Sequence, residues 1–314
     1  MGGPPQVMTH GRAVTGGLLV TVAACVLAWA LAFPGASLPA ALVRAVADGA
    51  AVVTIGLTVV PALDGPRYRD ELLRRGTTPL LAAPTMWLAA ELVRLVLATA
   101  EAAGRSAGNV GLHTVWDFSV ETAPGRAALV TIAAAAVVAI AAGLAPRTAP
   151  VAAVTAGVAA IGVVGHPLTG HLGEDALGGI AVAVHTLAAA MWCGVLTALV
   201  LTVSHRGQWA RVLPRFSQLS LASVCVLLIG GVVAGLAVLE TPAQLVTTGW
   251  GRVLSAKLAL TVVLLALAWR NRASWLPDAR AHRATAGLSR ARAYTELGLM
   301  AVTLAAAATL AVTA

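Results

Sequence analysis

Nine apolar runs, most of them near the ~20 residues an α-helix needs to cross a ~30 Å hydrocarbon layer, alternate along this chain with short connections that hold most of its arginine. They lie near Ala13–Phe33, Leu38–Leu63, Leu80–Ala100, Ala127–Ala145, Pro150–Pro167, Leu177–Val203, Phe216–Leu239, Gly251–Trp269 and Ala293–Thr313. In hydrocarbon every backbone polar group must find its partner inside the chain, so runs of this length fold as helices. With 59% hydrophobic and 11% charged residues and a mean hydropathy of +0.86, the chain falls outside the range of soluble domains. The expected fold is an all-α, polytopic transmembrane bundle of about nine helices. Its first four crossings occupy residues 1–150 and the remaining five residues 151–314. A multi-pass integral membrane protein is expected.

The connections orient the bundle. Asp64–Pro79 carries Arg67, Arg69, Arg74 and Arg75, and Arg270–Arg292 carries six further arginines. When crossings alternate, both fall on the same side as Arg147, Arg206, Arg211 and Arg215, which is the cytoplasmic side by the positive-inside bias. The amino terminus is then inside and the carboxyl terminus outside. The net charge of +8 follows from this asymmetry, so the bilayer is the expected partner and nucleic acid is not. The first run exceeds the ~7–15-residue core of a signal peptide, which predicts an uncleaved first helix.

Several features read as packing. Cys25, Cys193 and Cys225 sit in three different runs with no Cys-x-x-Cys pair, so no disulfide framework is expected; Cys193 stands out because it neighbours a histidine-bearing helix. Gly231 and Gly235 form G-x-x-x-G, a close-packing signal. Trp116, Trp250, Trp269 and Trp275 lie near helix ends, as interfacial anchors do. The sequence has no P-loop, dinucleotide fingerprint, H-E-x-x-H or nucleophile elbow, and no enzyme activity is expected.

Charges inside the runs demand partners or a hydrated path, because each costs at least ~2.5–3.5 kcal/mol at a helix centre. They are Asp48, Glu91, Arg94, Lys257 and Glu296. At ~1.5 Å per residue, Lys257 lies roughly 9 Å and Asp48 roughly 15 Å below the outer ends of their helices. Glu91 and Arg94 are spaced i, i+3 for an ion pair. Lys257, the only lysine, is expected to neutralise Asp48 or Glu91, or to set the electrostatic barrier along a path. Glu296 is expected to pair with cytoplasmic arginines.

The most informative stretch is VVGHPLTGHLGEDALGGIAVAVHTLAAAMWCGVL, which starts at Val163. It sets His166, His171 and His185 around one short acidic connection between two crossings. Imidazole near a membrane core suits a transition metal. His166 at the end of one helix and His185 near the start of the next can converge, with His171 folding over them, and Trp192 falls on the His185 stripe seven residues on. His113, Glu174 and Asp175 lie in the outer connections, where they can capture a cation before it enters.

From Val163 onward the chain resembles the CopD family of bacterial copper resistance and copper uptake proteins. The resemblance rests on Gly165–His166, HTLAAAMWCGVL at His185–Leu196, RFSQLSLASVCVLLIGGVVAG at Arg215–Gly235, GWGRVLSAKLAL followed by WRNR at Gly249–Arg272, and ARAYTELGL before the last helix. It is similar to the CopD half of CopD–CtaG fusion proteins. Cys193, Gly194 and Val195 follow Trp192 where the family has two glycines. The resemblance implies that copper crosses the membrane, inward, with a periplasmic CopC-like carrier and a CtaG-like oxidase assembly protein as partners. It places His166 and His185 at the family's histidine positions, Trp192 at its tryptophan, and Arg252 and Lys257 at its basic positions in the eighth helix; His171 matches less closely. Asp48, Glu91, Arg94 and Cys193 join Trp192, Arg252 and Lys257 as pathway or coupling residues. Two alternatives remain at this point: a haem b cytochrome, because paired helix histidines also hold haem, and a copper-delivery partner for oxidase assembly.

Overall fold

The computed structural model describes residues 6–168, 176–239 and 241–313; for 6–14 and 176 it describes the backbone alone. His171, Glu174 and Asp175 lie outside the described residues.

All nine apolar runs form helices: α1 (Gln6–Ala32), α2 (Leu38–Val59), α4 (Thr77–Ala102), α6 (Ala123–Leu144), α7 (Ala149–Gly165), α8 (Ala176–Thr202), α9 (Arg206–Val238), α11 (Gly249–Arg280) and α12 (Ala286–Leu310). Eight are long and apolar enough to cross a membrane, and α7, at 17 residues, is shorter. No strand occurs among the described residues. Three short α-helices, α3 (Pro66–Arg75), α5 (Leu112–Glu121) and α10 (Gln244–Thr247), and two 3-10 turns, Val60–Leu63 and Ala107–Asn109, lie in the connections.

Local chemistry sets the corners. Thr122 and Thr248 cap α6 and α11, their hydroxyls accepting from Gly125 N–H at 3.0 Å and Gly251 N–H at 2.9 Å. The same hydroxyls donate to the carbonyls of Phe118 and Gln244, four residues back. At both corners a β-carbon on the glycine would fall on that same carbonyl. Thr-x-x-Gly therefore builds the same tight turn twice, with glycine required by the close approach.

α8 is the centre of the bundle and packs on α2 and α9. Its crossing with α2 is made by glycine: a β-carbon on Gly56 would fall on the Gly194 carbonyl, and one on Gly194 would fall on the Val52 carbonyl. Around that crossing Ile55, Leu57, Ala190, Trp192, Val195, Leu196 and Leu199 are buried. Small residues let membrane helices approach until their backbones touch. α1 lies against α12 and α2 through Ala24, Cys25, Ala45, Ala305 and Ala308, all buried.

The arginine-bearing connections meet at one end of the bundle. Arg211 forks onto buried Asp64 at 3.1 and 3.0 Å and stacks 3.9 Å over the Tyr68 ring. Arg215 donates to the Leu63 carbonyl at 2.9 Å, Arg290 to the Val203 carbonyl at 3.0 Å, and His205 meets Glu71 at 3.3 Å. Trp275 differs from the expected interfacial anchor: it is 2% exposed, packs on Trp209 and donates to Ser289 Oγ at 3.1 Å. α11 runs on past Trp269 to Arg280, so Trp275 belongs to a packed cap beyond the apolar stretch. Trp116 and Trp269 are exposed, as anchors are.

Candidate functional site

Two polar systems occupy the apolar bundle. The first joins α2, α4 and the end of α7. Gly162 lets α7 close onto α4 and α6, since a β-carbon there would sit 2.7 Å from both the Trp87 ring and the Ala134 methyl. Thr131 Oγ1 donates across that contact to the Gly162 carbonyl at 3.0 Å. This fixes His166, the residue that ends α7. Its Nε2 lies 3.1 Å from Glu91 Oε2, and the other carboxylate oxygen meets Arg94 at 3.4 Å. Glu91 is 2% exposed. Arg44 completes the system: its Nε lies 3.4 Å from Asp48 Oδ2, and its charge acts on Glu91, Arg94 and His166.

Lys257 therefore neutralises neither Asp48 nor Glu91, because arginines on their own helices reach those carboxylates first. Arg44 was overlooked at the sequence level, although its i, i+4 spacing from Asp48 marks a helical ion pair.

The second system joins α8, α9, α11 and α12. His185 Nδ1 donates to the Leu227 carbonyl at 2.8 Å. A carbonyl only accepts, so in the neutral ring the proton is on Nδ1 and Nε2 carries the free lone pair. Gly230 and Gly231 of α9 make room for this ring. A β-carbon on Gly231 would lie 3.1 Å from Nδ1, and one on Gly230 would lie 2.8 Å from the Ala181 carbonyl. The packing pair is Gly230 and Gly231, not the two ends of G-x-x-x-G, for Gly235 meets nothing within 4 Å. Lys257 acts electrostatically on His185.

Further along α8, Trp192 and Cys193 are buried and face Glu296 of α12. Glu296 does not pair with an arginine as expected. Its Oε2 accepts from Asn271 Nδ2 of α11 at 2.7 Å.

The remaining predicted residues lie apart from these systems. Arg252 donates to the carbonyls of Leu31 at 2.9 Å and Phe33 at 3.4 Å, and so caps the end of α1. His113 pairs with Asp117 at 2.6 Å on the exposed helix α5. Among the described residues no group of three or more His, Cys, Asp or Glu side chains is placed to hold a metal. The connection that carries His171 falls outside them.

A multi-pass helical bundle with a carbonyl-oriented histidine and buried ionic networks is the architecture of an integral membrane protein with a polar interior. Residues 210–310 match the family model described as Copper resistance protein D, and residues 35–180 match that of the Copper resistance protein D-like N-terminal domain. The chain belongs to the CopD family and is a copper-resistance or copper-uptake membrane protein. No curated protein and no solved structure matches it.

Proposed function

We propose that this protein carries copper inward across the plasma membrane, with His166, His171 and His185 as the outer site. The observation that carries this reading is the His185–Leu227 hydrogen bond. Metal-binding histidines are held by a second hydrogen bond of this kind, which fixes the tautomer and aims the other nitrogen at the metal. The amino terminus is cytoplasmic in this reading, so the arginine-bearing end faces the cytoplasm and His185 lies toward the outer face. His113, Glu174 and Asp175 collect the cation, and a periplasmic carrier of the CopC type is its donor. Asp48, Glu91 and Arg94 hold His166 in place, while Lys257, Trp192 and Cys193 line the way inward from His185.

The test is copper uptake into sealed proteoliposomes by wild type and His185→Ala at matched protein content. Loss of uptake in the variant supports the site. Equal uptake overturns it, and absence of uptake by the wild type overturns transport itself.

A further inference from the structure

Near the arginine-bearing end of the bundle a cavity of about 320 Å³ lies between α9 and α11, with α12 behind it. Its walls include Leu221, Val224, Leu265 and Trp269, and its polar lining is Ser217, Ser220, Asn271, Arg272 and Glu296.

Glu296, 3% exposed, is the acidic group of this lining. The two side chains that approach it are neutral. Asn271, 6% exposed, donates at 2.7 Å. The Trp192 indole N–H comes from α8 but reaches no partner in hydrogen-bonding geometry, so its contact with Glu296 is loose. The cations nearby are engaged elsewhere. Arg272 donates to the Ser217 carbonyl and hydroxyl at 2.8 and 2.7 Å, Arg290 to the Val203 carbonyl, and Arg292 faces Asp278 at 3.8 Å, without a hydrogen bond. The further titratable group acting with Glu296 is the Cys193 thiol of α8.

A carboxylate buried in an apolar bundle needs a cation, and here no side chain among the described residues supplies one. We propose that Glu296 is a proton-exchange site, loaded and unloaded from the arginine-bearing end through the cavity between α9 and α11. Ser217 and Ser220 form the polar wall of that route: the Ser220 hydroxyl donates to the Ser217 carbonyl, and Ser217 receives Arg272. The inference rests on the transport reading for one point alone, that the exchanged proton compensates the charge of the copper ion.

Dicyclohexylcarbodiimide, an apolar reagent selective for protonated carboxyls, tests the site directly. The carboxyl oxygen adds to the carbodiimide carbon while the carboxyl proton passes to a carbodiimide nitrogen. An acyl shift within the adduct then gives an N-acylurea that retains every atom of the reagent. Mass spectrometry of the detergent-purified full chain is expected to find the adduct on Glu296 and to show it declining as pH rises. The adduct is expected to be lost in Glu296→Gln, which keeps an oxygen for Asn271, and in the cavity-filling variants Ala268→Phe and Ser220→Leu. Two filling variants are used so that the test survives if one fails to fold. No adduct on Glu296 in the folded wild type overturns the proposal, as does undiminished labelling in a folded cavity-filled protein. The labelling needs no copper, so its result stands apart from the transport assay.

Discussion

Gly231 of α9 and His185 of α8 are fitted to each other: the ring packs so close to the glycine that a β-carbon there would lie in tight contact, 3.1 Å from Nδ1 and 3.2 Å from Cε1. The ring is thereby held against Leu227, one turn earlier on the same helix. Orientation of this histidine is thus a property of α9 as much as of α8.

Gly231→Ala is therefore expected to push the imidazole away from Leu227 from its Nδ1 side, without meeting Nε2, the nitrogen proposed to bind the metal. Outer-shell changes of this kind cost ~10–100-fold in metal affinity. Titration of purified protein with copper checks it; an unchanged affinity in a well-folded variant would separate the Leu227 bond from metal binding.

His185→Ala is expected to remove copper from the purified protein while leaving expression and membrane insertion intact. Elemental analysis with an optical spectrum reads both metal and haem. Copper near stoichiometry without a Soret band is the expected wild-type result, and a haem spectrum would turn the reading toward electron transfer.

Glu91→Ala should destabilise the bundle. It removes the carboxylate that Arg94 and His166 share at a site 2% exposed, and leaving the Arg94 charge unpaired costs about 3 kcal/mol or more. Thermal unfolding in detergent measures the loss. Adding Arg94→Gln should restore part of it, because the double change leaves fewer unpaired charges; a double variant as unstable as the sum of the two single ones would show the residues to be uncoupled.

The glycine crossing makes a stronger demand. Gly194→Ala places a methyl group on the Val52 carbonyl, and neither backbone can withdraw without opening the α2–α8 core. The expected result is loss of the folded species in size-exclusion chromatography; a variant that elutes and melts like wild type would mean that the helices can separate at little cost.

Topology is also checkable. Nine crossings put the termini on opposite faces, eight on the same face, and the difference turns on α7, whose 17 residues span only ~25 Å. A carboxyl-terminal alkaline phosphatase fusion should be active and the matching fluorescent protein fusion dark. The reverse pattern would make α7 a helix that stops within the bilayer.

The helices were legible because hydropathy and length alone decide a membrane helix. The Glu91–Arg94 pair was legible too, being local to one helix. What escaped was any relationship set by tertiary packing. His166 meets Glu91 across 75 positions, and no periodicity carries that information. Glu296 and Trp275 were read from their distance to a helix end, which ignores that α11 continues as a helix to Arg280 beyond its apolar part. Amphipathic α3 and α5 were hidden in connections read only for charge. Cys193 and Gly194 divide the work at the spot where the family has two glycines. Gly194 makes the helix crossing, and Cys193 faces away from it, toward Glu296.

The first helix lies before the matched segments, which begin at residue 35, yet it is secured at one end three times over. Arg252 holds the Leu31 and Phe33 carbonyls, Gly249 lies against Ala32, and Ala36 pairs with Thr313 in an antiparallel bridge. Farther from that end, Ala24 and Cys25 touch α2 and α12 through Ala45, Ala305 and Ala308. α1 thus behaves as a stave fastened at the rim of a barrel, and the slot beneath it is too shallow for bulky side chains.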